Sequence, residues 1–112
     1  MVSTLEFELR LSRQGQGGEP EVRFWLDANG DQRMDPSEEI APVRREGLLF
    51  RATAPLSGHD AAGVGFLVRI AAERGARYRL RIWLDDNDSR REVFDQADAV
   101  AESPHRIIGW CR

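Results

Sequence analysis

The feature that most constrains this chain is a strict alternation of apolar and polar side chains with a period of two residues. From Leu5 to Leu11, every second residue is leucine or phenylalanine, and the residues between them are charged. This period puts the apolar side chains on one face of a β-strand, whereas a helix needs apolar residues three or four apart. Similar patterns predict strands at 5–11, 22–26, 47–56, 64–70, 78–84 and 105–110. We therefore expect an all-β chain.

The connections between these strands indicate how they are arranged. A short connection at 73–77, which contains Gly75, predicts that the fourth and fifth strands form a hairpin. Helical periodicity is weak and predicts only short helical turns, at 36–40 and at 94–101. Several short strands separated by turn-rich loops are typical of a sandwich or a barrel. We expect a single small antiparallel β-sandwich over residues 1–112.

Composition excludes several functions. The net charge is −3, so the overall field gives no reason to expect nucleic acid as a partner. All 16 basic residues are arginine, which excludes a Schiff-base lysine and a lysine-derived isopeptide crosslink. Cys111 is the single cysteine, so no intramolecular disulfide forms.

The sequence also bears on where the chain works. No apolar run approaches the length that spans a membrane, and no basic segment followed by an apolar run opens the chain. We expect no membrane partner. The expected location is the cytoplasm if the chain is full-length, and the cell surface or extracellular space if it is an excised domain.

One segment, from Asp27 to Glu38, has the spacing of a cation-binding loop. Calcium prefers about six to eight oxygen ligands in a loose shell, and oxygens at alternate positions can curl around one ion. Arg33, at the seventh position, would offer its backbone carbonyl, and Glu38 would close the shell with both carboxylate oxygens. Side-chain oxygens fall at the first, third, fifth, ninth and twelfth positions, which are Asp27, Asn29, Asp31, Asp35 and Glu38.

These twelve residues resemble the calcium loop of EF-hand and dockerin-type proteins, whose pattern is D-x-[DN]-x-[DN]-G-x₅-E. The resemblance implies the five oxygen-bearing side chains as calcium ligands. Two features depart from the family. Gln32 stands where the family has a glycine that makes the sharp turn, and the residues before Asp27 form a strand, not a helix.

A strand that runs into such a loop is similar to another group. Bacterial surface-protein β-sandwiches of the CnaB and SdrD B-repeat type, and related prealbumin-like domains, contain segments like "vWxDxNGDGxxDxxE". Residues 24–31 and 78–87 both look like this pattern. The resemblance implies an immunoglobulin-like or prealbumin-like sandwich in which calcium holds a loop rigid.

The acidic residues allow one alternative to this calcium site and two extensions of it. Asp35, Pro36 and Glu38 also suit the cap and first turn of a helix, so the acids can simply start a helical turn. A second acidic loop, 85–92, has fewer ligand positions, and Arg90 can neutralise its acids. If the two Asp-bearing strands lie side by side, Asp85 completes the first site.

The segment 23–29 is repeated at 81–87, with the same Arg-x-Trp-Leu-Asp order. Either the chain is internally duplicated, or two unrelated strands have similar sequences because each meets the same structural requirement where it runs into a loop. If both strands share a sheet, they present one outward surface for a partner, made of Trp25, Trp83, Arg23, Arg79 and Arg81. Clusters of this kind are common at protein interfaces and can stack on sugars. The alternative is that a loop covers the tryptophans.

Catalysis is not expected. Ser57, His59 and Asp60 have the residue types of a nucleophilic triad, but they lie too close in sequence to adopt its geometry. We expect a non-catalytic binding or assembly module with a structural calcium site, acting on a protein partner or on itself. The alternatives are a carbohydrate-binding module that uses an exposed tryptophan, a small hydrolase or catalytic accessory, and a protein-interaction domain without metal.

Overall fold

The predicted strands are present and form a two-layer β-sandwich. This computed structural model describes residues 2–12, 20–27, 33–34, 36–57, 64–86, 89–102 and 104–111. A 3-10 turn lies at Pro36–Glu38. The strands are β1 (Val2–Leu11), β2 (Glu21–Asp27), β3 (Glu39–Ile40), β4 (Arg44–Glu46), β5 (Leu49–Ser57), β6 (Gly65–Ala71), β7 (Arg77–Asp86), β8 (Ser89–Ala99) and β9 (His105–Trp110).

The strands divide into two sheets whose neighbours are all antiparallel. Sheet A has the order β4-β5-β1-β7-β8, and sheet B has the order β3-β2-β6-β9. Strand β1 lies at the centre of sheet A, between β5 and β7. Strands β2 and β6 form the centre of sheet B. The expectation of a small antiparallel β-sandwich is confirmed.

Alternation explains why the sheets pack face to face. From Leu5 to Leu11 on β1 and from Tyr78 to Leu84 on β7, every second residue points inward and is buried, while the residues between point to the outer face of sheet A. Four phenylalanines join the layers. The ring centroid of Phe7 lies 5.6 Å from that of Phe24 and 6.0 Å from that of Phe66, and Phe66 lies 4.7 Å from Phe94. These tilted and edge-to-face contacts bind β1 and β8 of sheet A to β2 and β6 of sheet B.

Two sequence predictions are wrong. Strands β6 and β7 do not form a hairpin, because the 72–76 connection crosses from sheet B to sheet A. Both neighbours of β6, β2 and β9, lie in sheet B, and both neighbours of β7 lie in sheet A. Gly75, with a φ of 91°, permits this sharp passage.

The segment 94–101 is not a helical turn, because most of it continues β8 and pairs with β7 up to Ala99. A β-bulge interrupts the register opposite Ile82 and Trp83 and disturbs the alternation of β8. This bulge explains why the sequence did not indicate a strand there. The helical turn expected at 36–40 is present only as the 3-10 turn, and β3 follows it.

The last strand is tied to both layers. Tyr78 Oη on β7 accepts a hydrogen bond from Gln96 Nε2 (2.9 Å) and lies 3.4 Å from His105 Nε2 on β9. The backbone N–H of Ala101 donates to His105 Nδ1 (3.2 Å). Gly109 allows a close approach, since a Cβ built there would lie 2.8 Å from Cζ of the Phe66 ring. Strand β9 is therefore held against the aromatic core at a position where only glycine fits.

We expect Gly109→Ala to lower the free energy of unfolding by about 1–3 kcal/mol, because the added methyl group overpacks against Phe66. Urea denaturation followed by tryptophan fluorescence measures the change. Gly47→Ala is a useful comparison, since nothing lies near its Cβ position and its cost would come from its positive φ. Adding Phe66→Leu should recover part of the loss at Gly109. Wild-type stability of Gly109→Ala would contradict this packing.

Candidate functional site

The loop predicted to bind calcium is closed by strand pairing. Trp25 pairs with Glu39 and Phe24 pairs with Ile40, so β2 and β3 are the two arms of the loop. Asp27, the first loop position, ends β2 and is buried. Glu38, the twelfth position, ends the 3-10 turn directly before β3. The first and last predicted ligands therefore lie at the neck of the loop.

The other predicted ligands are less well defined. Asn29, Asp31 and Asp35 lie outside the described residues, and Arg33 is exposed. The described residues include no group of three or more histidine, cysteine, aspartate or glutamate side chains that could hold a metal ion. Two acids at the neck would fit calcium, a hard cation, only with further oxygens from the rest of the loop. The calcium site therefore stays a prediction.

The neck of this loop lies on the outer face of sheet B. Asp27 points to the same side as Trp25, two residues before it, and lies across Gly65 on β6. A Cβ built at Gly65 would meet Asp27 Cβ at 3.3 Å and Asp27 Oδ2 at 3.4 Å. On the other side of Gly65, β9 contributes Trp110. The first position of the loop therefore borders the outer face of sheet B.

The predicted tryptophan and arginine surface is divided between the two sheets. Trp25 and Arg23 belong to β2 in sheet B, whereas Trp83, Arg79 and Arg81 belong to β7 in sheet A. The two strands do not share a sheet, so the condition for one continuous surface is not met. For the same reason Asp85 does not lie beside Asp27 on a neighbouring strand.

In sheet B, the repeated segment forms a compact tryptophan–arginine–glutamate unit. Glu39 on β3 lies opposite Trp25 and binds Arg23 through both of its carboxylate oxygens. The Arg23 guanidinium lies over the Trp25 indole, 5.3 Å from the ring centroid. The hydrogen bonds that Arg23 donates to Glu39 raise the pKa of Arg23. The indole is only 3% exposed, so it offers no open ring face.

Sheet A contains a second unit of the same design. Glu92 on β8 lies opposite Trp83 and accepts hydrogen bonds from Arg81 Nε (2.8 Å) and Nη2 (2.6 Å). Arg81 lies 4.4 Å and Arg90 4.8 Å from the Trp83 ring centroid. In both sheets an acid on the neighbouring edge strand faces the tryptophan and binds the arginine two residues before it. The repeat thus corresponds to one local arrangement used twice.

Ion pairs continue across the outer face of sheet A. Arg79 Nη2 lies 2.8 Å from Asp95 Oδ2, and its hydrogen bond lowers the pKa of the Asp95 carboxyl. Arg90 Nη1 lies 3.0 Å from Glu6 Oε2 and 3.1 Å from Asp85 Oδ2. Arg90 thus neutralises an acid of the second loop, as the sequence indicated. These pairs are solvent-exposed, so each contributes little stability by itself.

The outer edge of sheet B holds the apolar residues that sequence reasoning missed. Among the described large hydrophobic residues, Ile108 and Trp110 are the exposed ones, at 46% and 51%. Ile108 lies opposite the buried Leu67, which in turn lies opposite Trp25, so an apolar row crosses three strands. The available signal was that 106–110 carries apolar residues on both faces of one strand.

The remaining titratable residues offer no described reactive site. Burial raises the pKa of the Cys111 thiol to about 11, which keeps it protonated and unreactive at neutral pH. His59 and Asp60 lie outside the described residues, and His105 contacts Tyr78.

Among the described residues, no helix has the length and hydrophobicity to cross a membrane.

Comparisons with protein-family models, with curated proteins and with solved structures found no match for this chain.

The tryptophan–arginine unit of sheet A predicts a distinctive pair of mutants. Trp83 Nε1 is buried and has no acceptor among the described residues. Trp83→Phe removes this N–H but keeps an aromatic ring under two guanidinium groups, so its stability should equal or exceed that of the wild type. Trp83→Ala loses the ring and should cost about 2 kcal/mol. Urea denaturation followed by circular dichroism compares them, and equal losses in both variants would contradict the proposed role of the ring.

Proposed function

We propose that this chain is a non-catalytic binding or assembly module that contacts a protein through the outer face of sheet B at β9. The observation that carries the proposal is the exposure of Ile108 and Trp110 side by side on an edge strand. Apolar groups exposed next to each other on a folded domain mark interaction sites, and tryptophan is prominent among residues that anchor protein interfaces.

The surroundings of these two residues favour a protein over a sugar. Ile108 continues the apolar row of Leu67 and Trp25, and Arg106 and Arg69 form a cationic row beside it. Leu67 and Trp25 are themselves buried, so Ile108 and Trp110 are the members open to a partner. Exposed apolar side chains bordered by arginines have the composition of a protein interface core and its rim. The two tryptophans expected to stack on sugar, Trp25 and Trp83, are buried or covered by guanidinium groups. Trp110 would be the candidate if the ligand were a glycan.

Two substitutions test the binding face. Ile108→Ser and Trp110→Ser should each weaken binding at least about tenfold, because each removes an anchor from the centre of the surface. Leu49→Ser is the matched control, since Leu49 is a half-buried apolar residue on the outer face of sheet A.

Binding would be measured in two ways: self-association by sedimentation velocity, and capture of peptides from a defined display library, with a glycan array alongside. The proposal fails if neither a copy nor a peptide binds, or if binding survives both substitutions. Glycan binding that is lost in Trp110→Ser would replace it with a carbohydrate-binding function.

The second part of the proposal is that calcium fixes the loop between β2 and β3. It is supported by the strand pairing that brings the two arms of the loop together, with Asp27 at the end of β2 beside Gly65 and Glu38 directly before β3. Asp27 is the buried charged residue among those described, and a cation would offset the cost of burying it. Calcium would then act by holding a loop rigid beside the binding face, not by triggering a helical switch.

Calcium should raise the melting temperature of the chelator-treated protein, because a ligand that binds only the native state stabilises it. The gain is about 2.7 kcal/mol at a hundredfold excess over the dissociation constant. Asp27→Asn and Glu38→Gln should remove most of the shift, whereas Glu102→Gln, an exposed acid outside the loop, should retain it. Differential scanning fluorimetry with calcium and with magnesium measures the effect. The absence of any shift at millimolar calcium would rule the site out.

A further inference from the structure

We infer that the partner at β9 is a second copy of this chain, paired antiparallel to it about a two-fold axis through Ile108. This inference rests on the proposed binding function and specifies its partner and register. It would join the two B sheets into one continuous sheet across the dimer.

The first step is that β9 is the one unprotected edge among the described strands. The outer strands are β4 and β8 in sheet A and β3 and β9 in sheet B. Strands β3 and β4 have only two and three residues. Strand β8 is long, but it carries a bulge and alternates many charged residues. Short length, bulges and charges all discourage pairing with another chain. Strand β9 has six residues, and Arg106 is its one side chain that carries a carboxylate or a guanidinium group.

The second step is the register. Side chains that point to the outer face of sheet B from β9 are Arg106, Ile108 and Trp110. A two-fold axis at Ile108 places Ile108 opposite the partner's Ile108, and Arg106 opposite the partner's Trp110. This register pairs all of 106–110 and puts no like charges opposite each other, whereas an axis at Arg106 would oppose two arginines.

The third step is that guanidinium groups already lie over tryptophan rings in this fold, within a strand at Trp25 and both within and across strands at Trp83. Arg23 lies over Trp25 at 5.3 Å and Arg81 over Trp83 at 4.4 Å. Unlike those two arginines, Arg106 has no carboxylate partner among the described residues, and Trp110 is half exposed. Each would gain a partner in the dimer, and removal of both from water strengthens a cation–π contact.

The inner face of the new pair is also compatible. The same register places Ile107, which is buried against the core, opposite the partner's Gly109. Glycine adds no side chain at this position, so two cores can approach without crowding. An edge contact between six-residue strands is small for a specific interface, so we expect a dissociation constant on the order of micromolar.

A charge exchange at the two-fold axis tests partner and register together. In this register residue 108 faces itself, so Ile108→Asp alone and Ile108→Lys alone each oppose like charges and should weaken dimerisation at least about tenfold. An equimolar mixture of the two variants should form a heterodimer, because aspartate then faces lysine. Sedimentation velocity over a range of concentrations measures all three samples. The matched controls are Thr53→Asp and Thr53→Lys, at an exposed position of sheet A, which should dimerise as the wild type does.

Recovery in the mixture supports the inference and also shows that both variants are folded. Arg106→Gln is a second test, and should weaken the wild-type dimer several-fold without affecting the melting temperature of the monomer. A wild-type chain that stays monomeric at several hundred micromolar overturns the inference, whereas peptide binding lost in Trp110→Ser would then leave the proposed function standing. If the single variants dimerise more weakly and their mixture does not recover dimerisation, the proposed register is wrong.

Discussion

The contact on which the rest of this structure depends is the chain of four phenylalanine rings between the sheets. Phe24 and Phe66 from sheet B pack against Phe7 and Phe94 from sheet A, with centroid separations of 4.7 to 6.0 Å. Each ring belongs to a different strand, so the set holds both layers in one relative position. Gly109 is a consequence of the same contact, because β9 passes so close to Phe66 that no larger residue fits. The candidate binding strand is therefore positioned by the aromatic core.

The outer faces of the two sheets share one arrangement of side chains. In each sheet, an arginine lies over the tryptophan two residues further along and is bound by an acid on the neighbouring edge strand. The tryptophan ring is covered, and the guanidinium group keeps its hydrogen bonds. In each unit the guanidinium and carboxylate groups bind each other and the guanidinium group covers the tryptophan ring, which is why the residues most suggestive of a binding surface in the sequence are closed in the fold. Their charged groups leave both outer faces polar around the large rings.

Among the described strands, β9 lacks the acid that completes this arrangement. Its outer residues Arg106, Ile108 and Trp110 have the same composition, but they lie at a sheet edge where no described strand supplies the acid. The loop proposed to bind calcium borders the same face through Asp27 and Gly65. One face of sheet B therefore combines the exposed apolar residues, the open edge and the neck of the acidic loop. The proposals for assembly and for calcium concern adjoining parts of one surface.

The sequence by itself predicted β1, β2, β5, β6, β7 and β9 and an all-β sandwich, because a period of two puts alternate apolar residues on one face of each strand without reference to any neighbour. It did not predict β3, β4 or β8 as strands. It also indicated that Arg90 can neutralise acids of the second loop, because these residues are close in the sequence. Only the tertiary structure decided that β6 and β7 lie in different sheets, since a short connection suits a hairpin and a crossing equally well. That choice separates Trp25 from Trp83 and exposes Trp110 at an edge. Sheet order depends on which inner faces fit around the shared aromatic core, and such long-range packing leaves no local pattern in the sequence.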